Sequence, residues 1–282
     1  MKVLDLFSGI GGFSLGLDRA GFETVAFCEI ELFPCKVLAK HWPEVPIYND
    51  VRELTYDRLK SDGITGIDVI CGGFPCQDIS VAGKQAGIGE GTRSGLWSEC
   101  ARLVGEIRPK YAIFENVTAL LSGEQGRWFQ RVLFDLSEIG YDAEWHCIPA
   151  SELGAHHHRD RAWIVAYPNS LGARTGYSEV PKENGEIPLW DKGSKPINTG
   201  DNPGILAHTN GAQLKGVCKP FGILAKYADI GGPSRWEAEP NVGRVADGVP
   251  DRAHRLKALG NAVVPQIPEL IGRAIMEFEN AS

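Results

Sequence analysis

Long hydrophobic runs are missing from this 282-residue chain. No stretch approaches the ~20 apolar residues of a bilayer-spanning helix, so no membrane partner is expected. The opening "MKVLDLFSGIGGF" does not read as a signal peptide, because Asp5 interrupts its apolar run and no small-residue cleavage site follows. Paired cysteines are missing too. Cys28, Cys35, Cys71, Cys76, Cys100, Cys147 and Cys218 make an odd set with no C-x-x-C pair. That argues against a disulfide scaffold or a zinc ribbon and for a reducing, cytoplasmic setting. Excess positive charge is also lacking: 29 Lys and Arg stand against 36 Asp and Glu, a formal net charge of −7. This is a mild objection to a nucleic-acid partner, removed if a local basic face sits on the acidic body. Lys84, Arg93, Lys182, Lys192, Lys195, Lys215, Lys219 and Arg235 are candidates for such a face. Internal repeats and low-complexity tracts are absent.

What is present, over the first 165 residues or so, is strand alternating with helix. "KVLDLF" (2–7), "ETVAFCE" (23–29), "GIDVICGG" (66–73), "YAIFENV" (111–117), "YDAEWHCIPA" (141–150) and "RAWIVAYP" (161–168) read as strands. Helical spacing lies between them at 11–21, 30–43, 96–109 and 126–140, with Pro34 tolerable only in a first turn. This pattern predicts an α/β domain with a parallel sheet covered on both faces. From about Pro168 to Pro233 the texture turns to Gly, Asn, Lys, Pro, Thr and Ser, as in a small irregular domain or an insertion. Order returns around 255–279, where a Gly-Asn turn leads into an amphipathic helix.

Three places carry candidate chemistry. Gly9, Gly11 and Gly12 follow the first strand, Glu29 closes the second, and Asp50 sits where a third would end. Glycine allows a sharp turn and close ligand approach, and a carboxylate at the second strand end suits a ribose diol. Ser14 breaks the dinucleotide pattern G-x-G-x-x-G, so the loop suits an adenosine without phosphates, such as S-adenosylmethionine. A tight turn without ligand is the plain alternative. Next, Cys76 lies three residues past Gly73, behind Pro75, where the fourth strand runs out. Position alone leaves it open whether that thiol is inert or a nucleophile. The glycine-rich stretch 81–95 after it has the composition of a closing loop. Third, Glu115 and Asn116 end the fifth strand, and Arg159 and Arg161 open a later one, their spacing placing both on one face. Desolvation beside an apolar strand would raise the Glu115 pKa and make it a proton donor, unless it is merely a cap or surface carboxylate. The run His156, His157, His158 is not read as a metal site, because consecutive side chains do not converge.

Together and in this order, "DLFSGIGGF", "GGFPCQDIS", "FENV", "R-D-R" and "LGNAVVPQI" resemble the DNA (cytosine-5)-methyltransferase family, with a C-terminal part worded like phage or prophage enzymes. The resemblance covers most of the chain except roughly 168–235. It implies a Rossmann-like class I S-adenosylmethionine-dependent fold, with a mostly parallel seven-stranded sheet, helices on both faces and a small irregular target-recognition domain. The expected division is 1–167 plus about 256–282 for catalysis and cofactor, and about 168–255 for target recognition. Phe7, Gly9, Ile10, Gly11, Gly12, Phe13, Glu29, Ile30, Asp50, Val51, Pro75, Leu96, Asn261 and Val263 would line the cofactor site. Cys76 would attack cytosine C6, Glu115 would protonate N3, and Arg159 and Arg161 would hold the base. Gln77, Ser80, Arg93, Asn116 and His157 would face the substrate or DNA. His157 stands where the family usually has glutamine.

The implied reaction is methyl transfer from S-adenosylmethionine, leaving S-adenosylhomocysteine, to C5 of a flipped-out cytosine in duplex DNA, without a metal. A cognate restriction endonuclease is an implied possible partner, and the bacterial cytoplasm the implied setting. The neighbouring alternative is an RNA (tRNA) cytosine C5 methyltransferase. A nicotinamide-dependent oxidoreductase is opposed by the broken glycine pattern, and a catalytically dead DNA-binding protein by Cys76, Glu115 and the arginine pair.

Overall fold

A computed structural model describes residues 1–75, 95–155, 157–169 and 251–281. Seven strands form one sheet: β1 (Lys2–Leu6), β2 (Glu23–Cys28), β3 (Ile47–Tyr48), β4 (Ile67–Gly73), β5 (Tyr111–Val117), β6 (Tyr141–Ile148) and β7 (Arg161–Pro168). Their order is β3-β2-β1-β4-β5-β7-β6. Strands β3, β2, β1, β4 and β5 are mutually parallel. Strand β7 runs antiparallel to both β5 and β6. The expected mostly parallel Rossmann-like sheet is therefore present, with one reversal near its edge.

The described helices are α1 (Gly12–Arg19), α2 (Leu32–His41), α3 (Tyr56–Ser61), α4 (Leu96–Ile107), α5 (Ala119–Ser122), α6 (Arg127–Glu138), α7 (Arg252–Asn261) and α8 (Gln266–Ala281). Pro34 falls in the first turn of α2, where a missing N–H costs no helical bond. In α4, Trp97, Cys100, Leu103, Val104 and Ile107 recur at three- and four-residue spacing and bury one stripe. The helix stops at Arg108, which turns left-handed just before Pro109.

Alternation along the strands splits the core in two. Leu4, Leu6, Ile70, Phe114 and Ile164 point to the side covered by α4 and α6, among Trp97, Leu103, Phe129 and Val132. Val3, Val69, Cys71, Ile113, Trp163 and Val165 point to the other, among Phe13 and Leu17 of α1 and Ile267, Ile271 and Ile275 of α8. Cys71 is fully buried strand filling, and burial with Asp5 nearby pushes its thiol well above the usual range.

Candidate active site

Connections leave β1 toward β2 and β4 toward β5, so the strand order reverses between β1 and β4. A crevice opens beyond the carboxyl ends of such a pair, and ligands bind there in open α/β sheets. The β1 side is built from the glycine loop. Phe7 and Gly9 both take positive φ, 51° and 54°, directly after the strand. A phenylalanine held in the left-handed region is strained backbone of the kind that persists at functional sites. Gly11 caps α1 at φ 85°, and a Cβ there would lie 2.6 Å from the Trp42 ring. At Gly12 a Cβ would meet the Val263 carbonyl oxygen at 2.6 Å, so the C-terminal segment closes against bare backbone.

Glu29 sits across from this loop, only 8% exposed. Its Oε2 accepts from the Gly9 N–H and its Oε1 from the Glu31 N–H, each at 2.7 Å. Each oxygen keeps a lone pair for a hydroxyl. Asp50, just after β3, is gripped by the Arg52 side chain and N–H, which holds its carboxyl below the ordinary range. Carboxylates at both strand ends favour hydroxyl and amine donors and repel phosphates. The residues therefore fit a nucleoside with a positively charged tail better than a dinucleotide. Ile30, 66% exposed, follows directly after Glu29. Ile10 and Val263 are half-buried, and Asn261 is exposed at the end of α7. Val51 is buried, with Leu96 packed against the same core cluster. Phe13 turns its side chain inward. It is 3% exposed and stacks edge-on against Trp163 at 5.4 Å, so it fills the α8-side core and leaves only its backbone to the loop.

The β4–β5 side carries the acid. Gly73 pairs with Glu115 across the two strands, and a Cβ on Gly73 would stand 3.1 Å from Glu115 Oε2. The Arg161 Nε lies 2.9 Å from Glu115 Oε1. Burial raises the Glu115 pKa above its usual value despite the opposing pull of Arg161 and Arg159. Strand β7 makes this meeting possible: because it runs antiparallel, its first residue, Arg161, lies level with Val117 at the end of β5. Asn116 is 2% exposed, and its Nδ2 donates to the Phe74 carbonyl at 3.1 Å. It supports the root of the loop leading to Cys76. Pro75 is half-buried at that root, and His157 is exposed.

The charges of both arginines reach Glu115, but only Arg161 bonds it. Arg159 precedes the strand with φ 43°, and its guanidinium donates to the carbonyls of Gly260 and Ala262. Alternation holds only within extended backbone, and Arg159 is outside it. Cys76, Gln77, Ser80 and Arg93, the expected closing loop up to residue 94, and the eight candidate phosphate contacts lie outside the described residues.

Asp5, noted in the sequence only as a break in an apolar run, also supports the site. It is completely buried, its Oδ2 accepts from the Ser14 hydroxyl at 2.7 Å, and the Cys71 thiol is a further donor to its carboxyl. Desolvation pushes its pKa up to about 7. The contact ties β1 to the first turn of α1 and explains why serine replaces the third glycine. An aspartate inside an otherwise apolar strand was the available signal.

Residues 1–202 match the family model for C-5 cytosine-specific DNA methylase. This chain belongs to that family. Among curated relatives, Type II methyltransferase M.Eco47II of Escherichia coli is 36% identical over 191 residues, covering 67% of this chain and 45% of that protein. Type II methyltransferase M2.BsuMI of Bacillus subtilis (strain 168) is 36% identical over 170 residues, covering 59% and 42%. This chain thus spans under half the length of these two relatives. A crystal structure from E. coli, assigned as a DNA modification methyltransferase encoded within a prophage, matches with TM-score 0.53 at 30% identity, over 61% of this chain and 48% of that one.

Proposed function

We propose that the protein methylates C5 of a flipped-out cytosine in a specific duplex DNA sequence, through a covalent bond between Cys76 Sγ and C6. The observation that carries this reading is Glu115, its pKa raised by burial, paired with Arg161 and in register with Gly73, three residues before Cys76. S-adenosylmethionine, when bound, supplies the methyl group from its sulfonium. Gly9 to Gly12 and Glu29 would hold its sugar side, with Ile30 and Asp50 at the adenine and Val263 closing the crevice.

Cytosine C5 is a weak nucleophile, and the residues act on that weakness. Cys76 as thiolate adds to C6 while Glu115 delivers a proton to N3, which makes C5 an enamine carbon. Arg161 holds Glu115 and neutralises it whenever it is ionised. After C5 has taken up the methyl group, a water acting as base removes the C5 proton, Cys76 leaves as thiolate and N3 returns its proton to Glu115, which restores the ring. The base must leave the helix to be reached, at a cost of a few kcal/mol.

The segment from 168 to about 251 is proposed as the target-recognition unit. Helix α7 is continuous from Arg252 to Asn261, so a boundary near 255 would cut it. A cognate restriction endonuclease in the same bacterial cell is the proposed partner, in keeping with the Type II names of the relatives. Bisulfite sequencing of DNA from cells expressing the protein tests the function, with purified duplex DNA and tRNA compared as methyl acceptors. Methylcytosine in one fixed DNA context is expected. Unmodified DNA with labelled tRNA would overturn the DNA assignment.

A further inference from the structure

The paired arginines resemble a single base-holding device in sequence, and both charges act on Glu115, yet their hydrogen bonds go to different partners. Arg161 engages Glu115. The Arg159 guanidinium spans the end of α7, with Nη1 donating to the Gly260 carbonyl at 2.8 Å and Nη2 to the Ala262 carbonyl at 2.7 Å. The last carbonyls of a helix lack intrahelical donors, and a cation there also suits the helix dipole. We infer that Arg159 is a positioning residue: it fixes the turn between α7 and α8 as the C-terminal wall of the cofactor crevice.

The contacts around that turn give the inference its content. One residue beyond Ala262, the Val263 carbonyl occupies the space a side chain at Gly12 would need. The Pro265 carbonyl crowds Gly16 in the same way. The turn therefore lies directly on the first turns of α1. At its other end α7 docks on α2, where His254 stacks on Phe33 at 6.0 Å and Lys257 bonds Glu31 at 2.5 Å. Glu31 in turn donates its N–H to Glu29. So α7 bridges the two walls of the crevice, resting on α2 beside the β1 side and on Arg159 beside the Glu115 side. Arg159 holds this position with left-handed backbone, φ 43°, which persists only where surrounding contacts over-determine it. A lysine keeps the charge but has no planar fork to span two carbonyls.

The cofactor arm of the inference rests on the proposed function; the structural arm does not. The experiment compares R159K, R159A and R161K. Amide hydrogen exchange of residues 259–267 is followed in the ligand-free protein, and S-adenosylhomocysteine binding is measured by calorimetry. In R159K, exchange across that turn should speed up about tenfold or more while β1 and α4 stay protected. Its S-adenosylhomocysteine affinity should fall about tenfold, and KM for the methyl donor should rise more than kcat falls. R161K should show the reverse, with exchange and binding intact and kcat lowered. Unchanged exchange and binding in R159K, with kcat alone reduced, would overturn the inference and return Arg159 to the base. If the wild-type protein binds no S-adenosylhomocysteine, the cofactor reading fails while the exchange data still decide the positioning role. Should R159A not fold, the charge-preserving R159K carries the comparison.

Discussion

Glu144→Gln should stabilise the protein, and increasingly so as pH rises. Glu144 lies in β6 opposite Val165 of β7. Both of its carboxyl oxygens are buried without a hydrogen-bond partner among the described residues, and burial pushes its pKa from 4.5 up to about 8. Below pH 4.5 the folded and unfolded chains both keep this proton. Between 4.5 and 8 the unfolded chain releases it while the folded one retains it, so folding stability drops as pH climbs. The loss accumulates at about 1.4 kcal/mol per pH unit and reaches on the order of 5 kcal/mol by pH 8. Glutamine has the same shape and nothing to titrate. Asp5 imposes a similar trend through its own raised pKa, but it is present in both proteins and drops out of the difference. Urea denaturation of both proteins from pH 5 to 8 is the assay. The two stabilities should be close at pH 5 and diverge steadily above it. Parallel curves would refute the reasoning, because they would mean that the Glu144 carboxyl is solvated or paired in solution.

The remaining predictions address the site. Cys76→Ala should abolish methyl transfer while S-adenosylhomocysteine binding survives, and duplex DNA with 5-fluorocytosine at the target should trap the wild-type protein covalently but not the variant. Measurable turnover by the variant sinks the covalent mechanism. Glu115→Gln should lower kcat by about 10²-fold or more. Because burial holds its pKa above 4.5, the wild-type rate should fall as pH rises past that raised value, and this dependence should vanish in the variant. Gly12→Ala forces a Cβ to within 2.6 Å of the Val263 carbonyl, a backbone atom that must move. Overpacking of this kind costs about 1–3 kcal/mol, read as roughly tenfold weaker S-adenosylhomocysteine binding in calorimetry.

The chain's elements were legible wherever local pattern and burial agree. The apolar runs at 111–117 and 161–168 coincide with β5 and β7, and Pro109 marks the stop of α4. Three features escaped because their causes are tertiary. The extent of strand β3 is one, since its two residues are too few to show alternation even though its end before Asp50 was expected. The direction of β7 depends on how it pairs with β5, which its own residues do not encode. Gly260 and Asn261 read as a turn, yet they finish α7, held there by Arg159 on the Gly260 carbonyl and by the docking of His254 and Lys257. In the site, Glu115 and Glu29 are found by their place at strand ends. Where the Phe13 and Arg159 side chains turn was not legible, because motif position says nothing about side-chain direction. Phe13 packs inward on Trp163, and Arg159 leaves the strand through a left-handed residue.

The pinning of Glu29 has a thermodynamic consequence. Its carboxylate is fixed by the Gly9 and Glu31 N–H groups, both part of the fold itself. Immobilising a free, rotamer-rich side chain on association costs about 0.5–1.5 kcal/mol, and here that ordering is already complete. Under the proposed function, a nucleoside entering the crevice would meet an acceptor pair held by backbone N–H groups. Its affinity would then not be reduced by freezing this side chain.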